Sequence, residues 1–103
     1  MKVFIDKEVH ESLMDFYETA MLRHITLDEA TVLKKIDRLY DALESLGDTA
    51  DIYPLARLKQ DWILKGYREF ICEDFHFAYQ TYILENGERI VRIHDAVHSL
   101  LYH

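Results

Sequence analysis

The chain has one cysteine, one proline and three glycines among its 103 residues. A lone thiol forms no disulfide within the chain, which excludes a small disulfide-stapled secreted scaffold. Cys72 stands in an apolar run beside Phe70 and Ile71, where a buried, inert thiol is the expected state. The shortage of proline and glycine excludes a collagen-like or linker-rich chain, and 50% hydrophobic residues beside 30% charged ones exclude a disordered one. No apolar run approaches the roughly 18 residues that a membrane span needs, and Val3-Phe4-Ile5 is too short for the apolar stretch of a signal peptide. A cytoplasmic protein without membrane contact is expected. Basic residues are scarce as well. Twelve Lys and Arg stand against 19 Asp and Glu, a net charge of −7, so the average field repels a phosphate backbone. Nucleic-acid binding therefore demands a local basic patch, and the nearest approach to one is Arg57, Lys59, Lys65 and Arg68, which an ordinary solvated loop and strand face would also show.

What is present suits one hydrophobic core, so residues 1–103 are expected to form a single domain. Lys2-Val3-Phe4-Ile5 is β-branched and aromatic and reads as a strand, and Asp6 behind it can accept the free amides of a helix starting at Lys7. Val9, Leu13, Phe16, Tyr17, Ala20 and Met21 recur at helical steps and place one apolar face on a helix from about Lys7 to Arg23. Thr26-Leu27-Asp28-Glu29 has capping-box spacing and starts a second helix, whose stripe from Leu33 to Leu46 ends at Gly47, a residue free to take positive φ at a helix C-terminus. A short link around His24 and Ile25 makes the pair an antiparallel hairpin. Asp48 to Asp51 reads as loop, and the helical part of the chain is expected to end there. From Trp62 and Ile63 onward the residues favour pleated structure, with runs at Tyr67 to Cys72 and Phe75 to Leu84. In the second run Phe75, Phe77, Tyr79 and Thr81 alternate with His76, Ala78 and Gln80. Glu85-Asn86-Gly87 is a tight reversal that pairs this run with Glu88 to Ile93. The expected class is α+β: an N-terminal strand, a two-helix hairpin on one sheet face, then an antiparallel sheet of three to four strands.

This layout resembles the RelE/ParE superfamily of bacterial toxins, often described as plasmid stabilisation proteins. The likeness is carried by the helix hairpin behind an N-terminal strand, and by Leu64-Lys65-Gly66-Tyr67-Arg68-Glu69-Phe70, similar to a family strand bearing a Tyr-Arg or Leu-Arg pair. Phe75-His76-Phe77-Ala78-Tyr79-Gln80 is similar to an apolar strand ending in a family Tyr, and Ile90 to His98 is similar to a last strand ending in a histidine, with Tyr102 where many members have a terminal Tyr or Asp. The resemblance implies the toxin of a type II toxin-antitoxin module, neutralised by a cognate antitoxin that wraps it with an amphipathic segment. It also admits a homodimer. Two activities are implied by different branches: ribosome-dependent cleavage of messenger RNA, and inhibition of DNA gyrase by binding. Neither needs a cofactor or a metal. A non-toxic protein-binding module on the same fold is the remaining alternative.

By this resemblance Arg68 matches the basic strand position, His98 the terminal histidine and Tyr79 the strand tyrosine, while Lys65 and His76 are weaker members of a catalytic set. Tyr67, Tyr79 and Tyr102 are the expected partner contacts. The strand position near that Tyr, often arginine in the nucleases, is filled here by His76 and Gln80. Metal-free cleavage of RNA needs fixed positive charge on the phosphorane and proton transfer at oxygen, and this chain offers few cations for it. Each residue also has a plainer reading. Arg68 can pair with a nearby carboxylate such as Glu73, and a strand-end histidine such as His98 often bonds only the backbone. His94 and His98 sit roughly 13 Å apart on a strand, too far to share a metal. Tyr40, Tyr53, Trp62 and Tyr67 suit either a binding surface or an aromatic core with a partly exposed groove.

Overall fold

The computed structural model describes residues 1–23 and 28–102. The elements run β1 (Lys2–Ile5), α1 (Lys7–Arg23), α2 (Glu29–Glu44), α3 (Leu46–Thr49), α4 (Gln60–Leu64), β2 (Arg68–Cys72), β3 (Phe75–Ile83) and β4 (Arg89–His98), with a 3₁₀ turn at Ser99–Leu101. This is an α+β fold around a four-stranded sheet of order β1-β4-β3-β2. The strands that follow the helices pair antiparallel, as their short turns require. β1 instead lies parallel to β4, Lys2 opposite Ile90 and Ile5 opposite Ile93, so the sheet is mixed. The parallel pair needs a long crossover, which the helices and the β2–β3 hairpin supply. Among the described residues no helix is long and apolar enough to cross a membrane.

Alternation along β3 separates two cores. Phe75, Phe77 and Tyr79 face α1 and α2 and join Val9, Leu13, Leu39, Leu43, Val91 and Ile93 in the larger cluster. Ala78 faces the other way, into a smaller cluster with Ala56 and Trp62. Complete burial of each large side chain in the helix-covered core contributes about 1.5–3 kcal/mol, which is why the hairpin is held to the sheet despite its charged outer face. Lys35 Nζ to Asp74 Oδ2 at 2.6 Å and Arg38 Nη2 to Glu73 Oε1 at 3.0 Å add clamps from α2 to the β2–β3 turn.

Four local expectations are corrected. Trp62 and Ile63 are helical, not pleated, and the helical part of the chain does not end at Asp51, because α3 and α4 follow α2. The sequence from 54 to 67 crosses the second sheet face: Ala56 N–H donates to Tyr67 O at 2.9 Å and Glu69 N–H to Pro54 O at 3.0 Å, while α4 lays Trp62 on Ala78. The Thr26 cap and the link at His24 and Ile25 lie outside the described residues; the N-cap of α2 is Asp28, whose carboxylate accepts from Ala30 N–H at 3.4 Å. Asp6 does not spend its carboxylate on α1. Its backbone oxygen accepts from Val9 N–H, and its side chain turns across the sheet to Arg92 and His94.

Gly47 is the fourth. It sits inside α3 and its φ is not positive; only Gly66 and Gly87 among the glycines have positive φ. What Gly47 requires is space, because a Cβ there would overlap the backbone oxygen of Met1, whose ammonium donates to Gly47 O at 2.9 Å. Backbone cannot yield as a flexible side chain can. Gly47→Ala is therefore expected to cost about 1–3 kcal/mol through displacement of β1, read as a lower urea midpoint at unchanged slope.

Candidate functional site

The sheet face opposite the helices carries the polar chemistry. β4 holds a bulge at its contact with β3: Asp95 lies opposite Ala78 and Ile93 opposite Tyr79, so His94 is the extra residue between them. The bulge aims the His94 ring between three elements. Nδ1 lies 3.1 Å from Asp6 Oδ2 and Nε2 lies 2.7 Å from the Tyr82 hydroxyl, which is also 3.2 Å from Gln80 Oε1. Tyr67 stacks flat on the ring at 4.6 Å between centroids. Arg92 Nε holds the other Asp6 oxygen at 2.8 Å.

The electrostatics follow from these contacts. Burial raises the Asp6 carboxyl, but the hydrogen bonds and charges of Arg92 and His94 outweigh it and hold the group below its ordinary value. It is an anion that accepts from both. His94 moves down, because burial and the charges of Arg92 and Lys65 together exceed the pull of Asp6. The unfolded chain thus protonates at this histidine more readily than the folded one, and its contribution to stability is lost as pH falls below the ordinary 6.5. Burial raises the phenols of Tyr67 and Tyr82, so both stay protonated donors. An open cleft of about 290 Å³ adjoins the ring, lined by Asp6, Glu8, Asp61, Lys65, Tyr67 and Asp95 among others. Chemically, a carboxylate that orients an imidazole whose other nitrogen meets a phenol is a proton-transfer chain. The described residues contain no group of three His, Cys, Asp or Glu side chains placed to hold a metal ion.

Of the catalytic and partner residues expected from the sequence, only Lys65 and Tyr67 line this cleft. Arg68 lies opposite Tyr79 on the helix-covered side, and its guanidinium donates to the Tyr53 carbonyl rather than pairing with Glu73. His98 is also on that side, stacked on Phe16 at 5.8 Å, with Nδ1 accepting from Leu100 N–H at 3.2 Å. It borders a separate, mostly apolar groove of about 550 Å³ between α1 and the end of β4. Tyr79 is fully buried; its hydroxyl donates to Ala50 O at 2.5 Å and burial pushes it up to about 12, so it is a core residue. Four of the expected residues reach the second face, Tyr67 as the ring stacked on His94. Lys65 lies over Tyr67, 5.8 Å from its centroid. His76 bonds Glu69 at 3.0 Å and stacks on Tyr102 at 3.9 Å, and the Tyr102 hydroxyl donates to the same carboxylate. Burial and Glu69 push that phenol up to about 12. Of the aromatic set, Tyr53 and Tyr40 pack with the larger core and Trp62 and Tyr67 with the smaller, so they form no single surface.

Asp6, Tyr82 and Gln80 escaped the sequence reading as site residues, and His94 entered it only in a pairing with His98 set aside as too distant to share a metal. The Asn86-Gly87 reversal carried part of the signal, since its register sets Gln80 opposite Arg92 and Tyr82 opposite Ile90. Neither the bulge nor the docking of β1 beside β4 has a local sequence signature. No protein-family model and no curated protein matches the chain.

Proposed function

We propose that this chain is the toxin-like component of a type II toxin-antitoxin module of the RelE/ParE kind, and that free of its antitoxin it acts by binding a protein target such as DNA gyrase. The element order supports this reading: one strand, a long helix pair on one sheet face, then an antiparallel three-strand meander. The state of the cations favours binding over cleavage. Arg68 is committed to a backbone carbonyl, Arg92 to Asp6 and Arg38 to Glu73, partners that a scissile phosphate would have to displace. The net charge of −7 opposes approach to RNA or the ribosome in the same sense.

One observation favours the second reading, a ribosome-dependent endoribonuclease. The Asp6–His94–Tyr82 chain with Lys65 beside it supplies the proton-transfer groups that metal-free cleavage needs, in place of the Arg68, His98 and His76 set. Induction of the chain alone in bacteria separates the readings. Growth arrest with intact transcripts is the expected result. Arrest with cleaved transcripts, abolished by His94→Gln with Tyr82→Phe, supports the nuclease. Normal growth at confirmed soluble expression supports a non-toxic binding module and overturns both.

A further inference from the structure

We propose that Asp6, His94, Tyr82 and Gln80 form a proton-operated hydrogen-bond switch, in which protonation of His94 reverses the bond to Tyr82 and turns the phenol O–H to Gln80. The inference rests on donor counting. Asp6 is an anion whose other oxygen already accepts from Arg92, so the oxygen 3.1 Å from His94 Nδ1 accepts as well. Nδ1 then carries hydrogen in both charge states. In the neutral ring Nε2 is left with a lone pair, and the Tyr82 hydroxyl at 2.7 Å donates to it. In the imidazolium Nε2 is itself a donor and faces that same oxygen. Two hydrogens cannot occupy one hydrogen bond, so the phenol rotates its own to its other acceptor among the described residues, Gln80 Oε1 at 3.2 Å. One N–H bond forms, at Nε2 with a proton from solvent, and the Tyr82 O–H bond stays intact and only turns.

The surroundings allow this without backbone movement. Tyr67 stacked on the ring accommodates either charge state, gaining a cation–π contact in the imidazolium. From β4, Arg92 opposes the added charge and Asp95 lies beside the cleft; from the α4 side Lys65 opposes it and Asp61 lines the cleft, as does Glu8 of α1. Burial, helped by the charges of Arg92 and Lys65, outweighs the pull of Asp6 and leaves His94 titrating below its ordinary value. Gln80 bonds Tyr82 and reaches the histidine only through that phenol, which makes it the informative position.

Long-range ¹H–¹⁵N NMR of the imidazole tests the switch. The neutral ring is expected as the Nδ1–H tautomer, opposite to the usual preference of free histidine, with a midpoint below 6.5. Gln80→Leu removes the acceptor used only by the imidazolium and leaves the neutral arrangement intact, so it is expected to lower the midpoint further; Tyr82→Phe is expected to release the tautomer. An Nε2–H tautomer in the parent overturns the proposal. So does a Gln80→Leu midpoint equal to the parent's in a folded protein, because solvent would then serve the phenol as well as the amide.

Discussion

Trp62→Ala is expected to lower the unfolding free energy by about 3–5 kcal/mol, a large fraction of the roughly 5–15 kcal/mol that holds a domain of this size together. Trp62 is 1% exposed and is the largest side chain of the second core, packed with Ala56 and Ala78 under Tyr67, Val97 and Tyr102. Small alanines cannot collapse into the volume an indole leaves, so most of the cavity persists. The indole N–H donates to Asp95 Oδ2 at 3.0 Å, and its loss also leaves a half-buried carboxylate oxygen without its donor. Trp62→Phe separates the terms: it keeps most of the volume and is expected to cost about 1–3 kcal/mol, mainly for the unpartnered oxygen. Urea unfolding of the parent and both variants reads the three values. A loss below that of Trp62→Phe in the alanine variant would mean that the segment from 54 to 67 does not depend on this side chain. The same variant is expected to shift the His94 ring resonances, since Trp62 O accepts from Tyr67 N–H at 3.0 Å and Tyr67 stacks on that ring.

The reach of the sequence can be judged from these residues. Helix α1 and the β3–β4 hairpin were legible because each has an uninterrupted period, helical from Val9 to Met21 and alternating from Phe75 to Thr81, with Asn86-Gly87 marking the reversal. Trp62 was misread because a five-residue helix carries little more than one turn of periodicity, and aromatic and β-branched content then outweighs it. Gly47 was misread because glycine has two uses, backbone freedom and absence of volume, and only the docking of Met1 shows which applies. The candidate site was the least legible part. Asp6 and His94 are 88 residues apart and meet because β1 docks parallel to β4, a pairing that no turn announces. Residues singled out by position in a pattern, Arg68, Tyr79 and His98, proved to be tied into backbone contacts or packing on the helix side.

Phe77→Ala is expected to cost a similar 3–5 kcal/mol by a different route. Phe77 is fully buried at the middle of the sheet, flanked by Phe70 on β2 and Ala96 on β4, with ring centroids 6.2 Å from Phe70 and 5.9 Å from Phe75. Its removal opens the helix-covered core, where the side chains of α1 and α2 meet all the strands. Amide exchange in the two variants is therefore expected to differ even at equal loss of stability. In Phe77→Ala protection should fall together in α1, α2 and β3, because no part of the larger core folds without the sheet. In Trp62→Ala it should fall first from 54 to 67, whose backbone is tied to the sheet by few bonds, while β3 and the helices keep most of theirs. Equal loss of protection throughout both variants would mean that the two sheet faces form one cooperative unit, so that the cleft beside His94 opens only when the whole protein does.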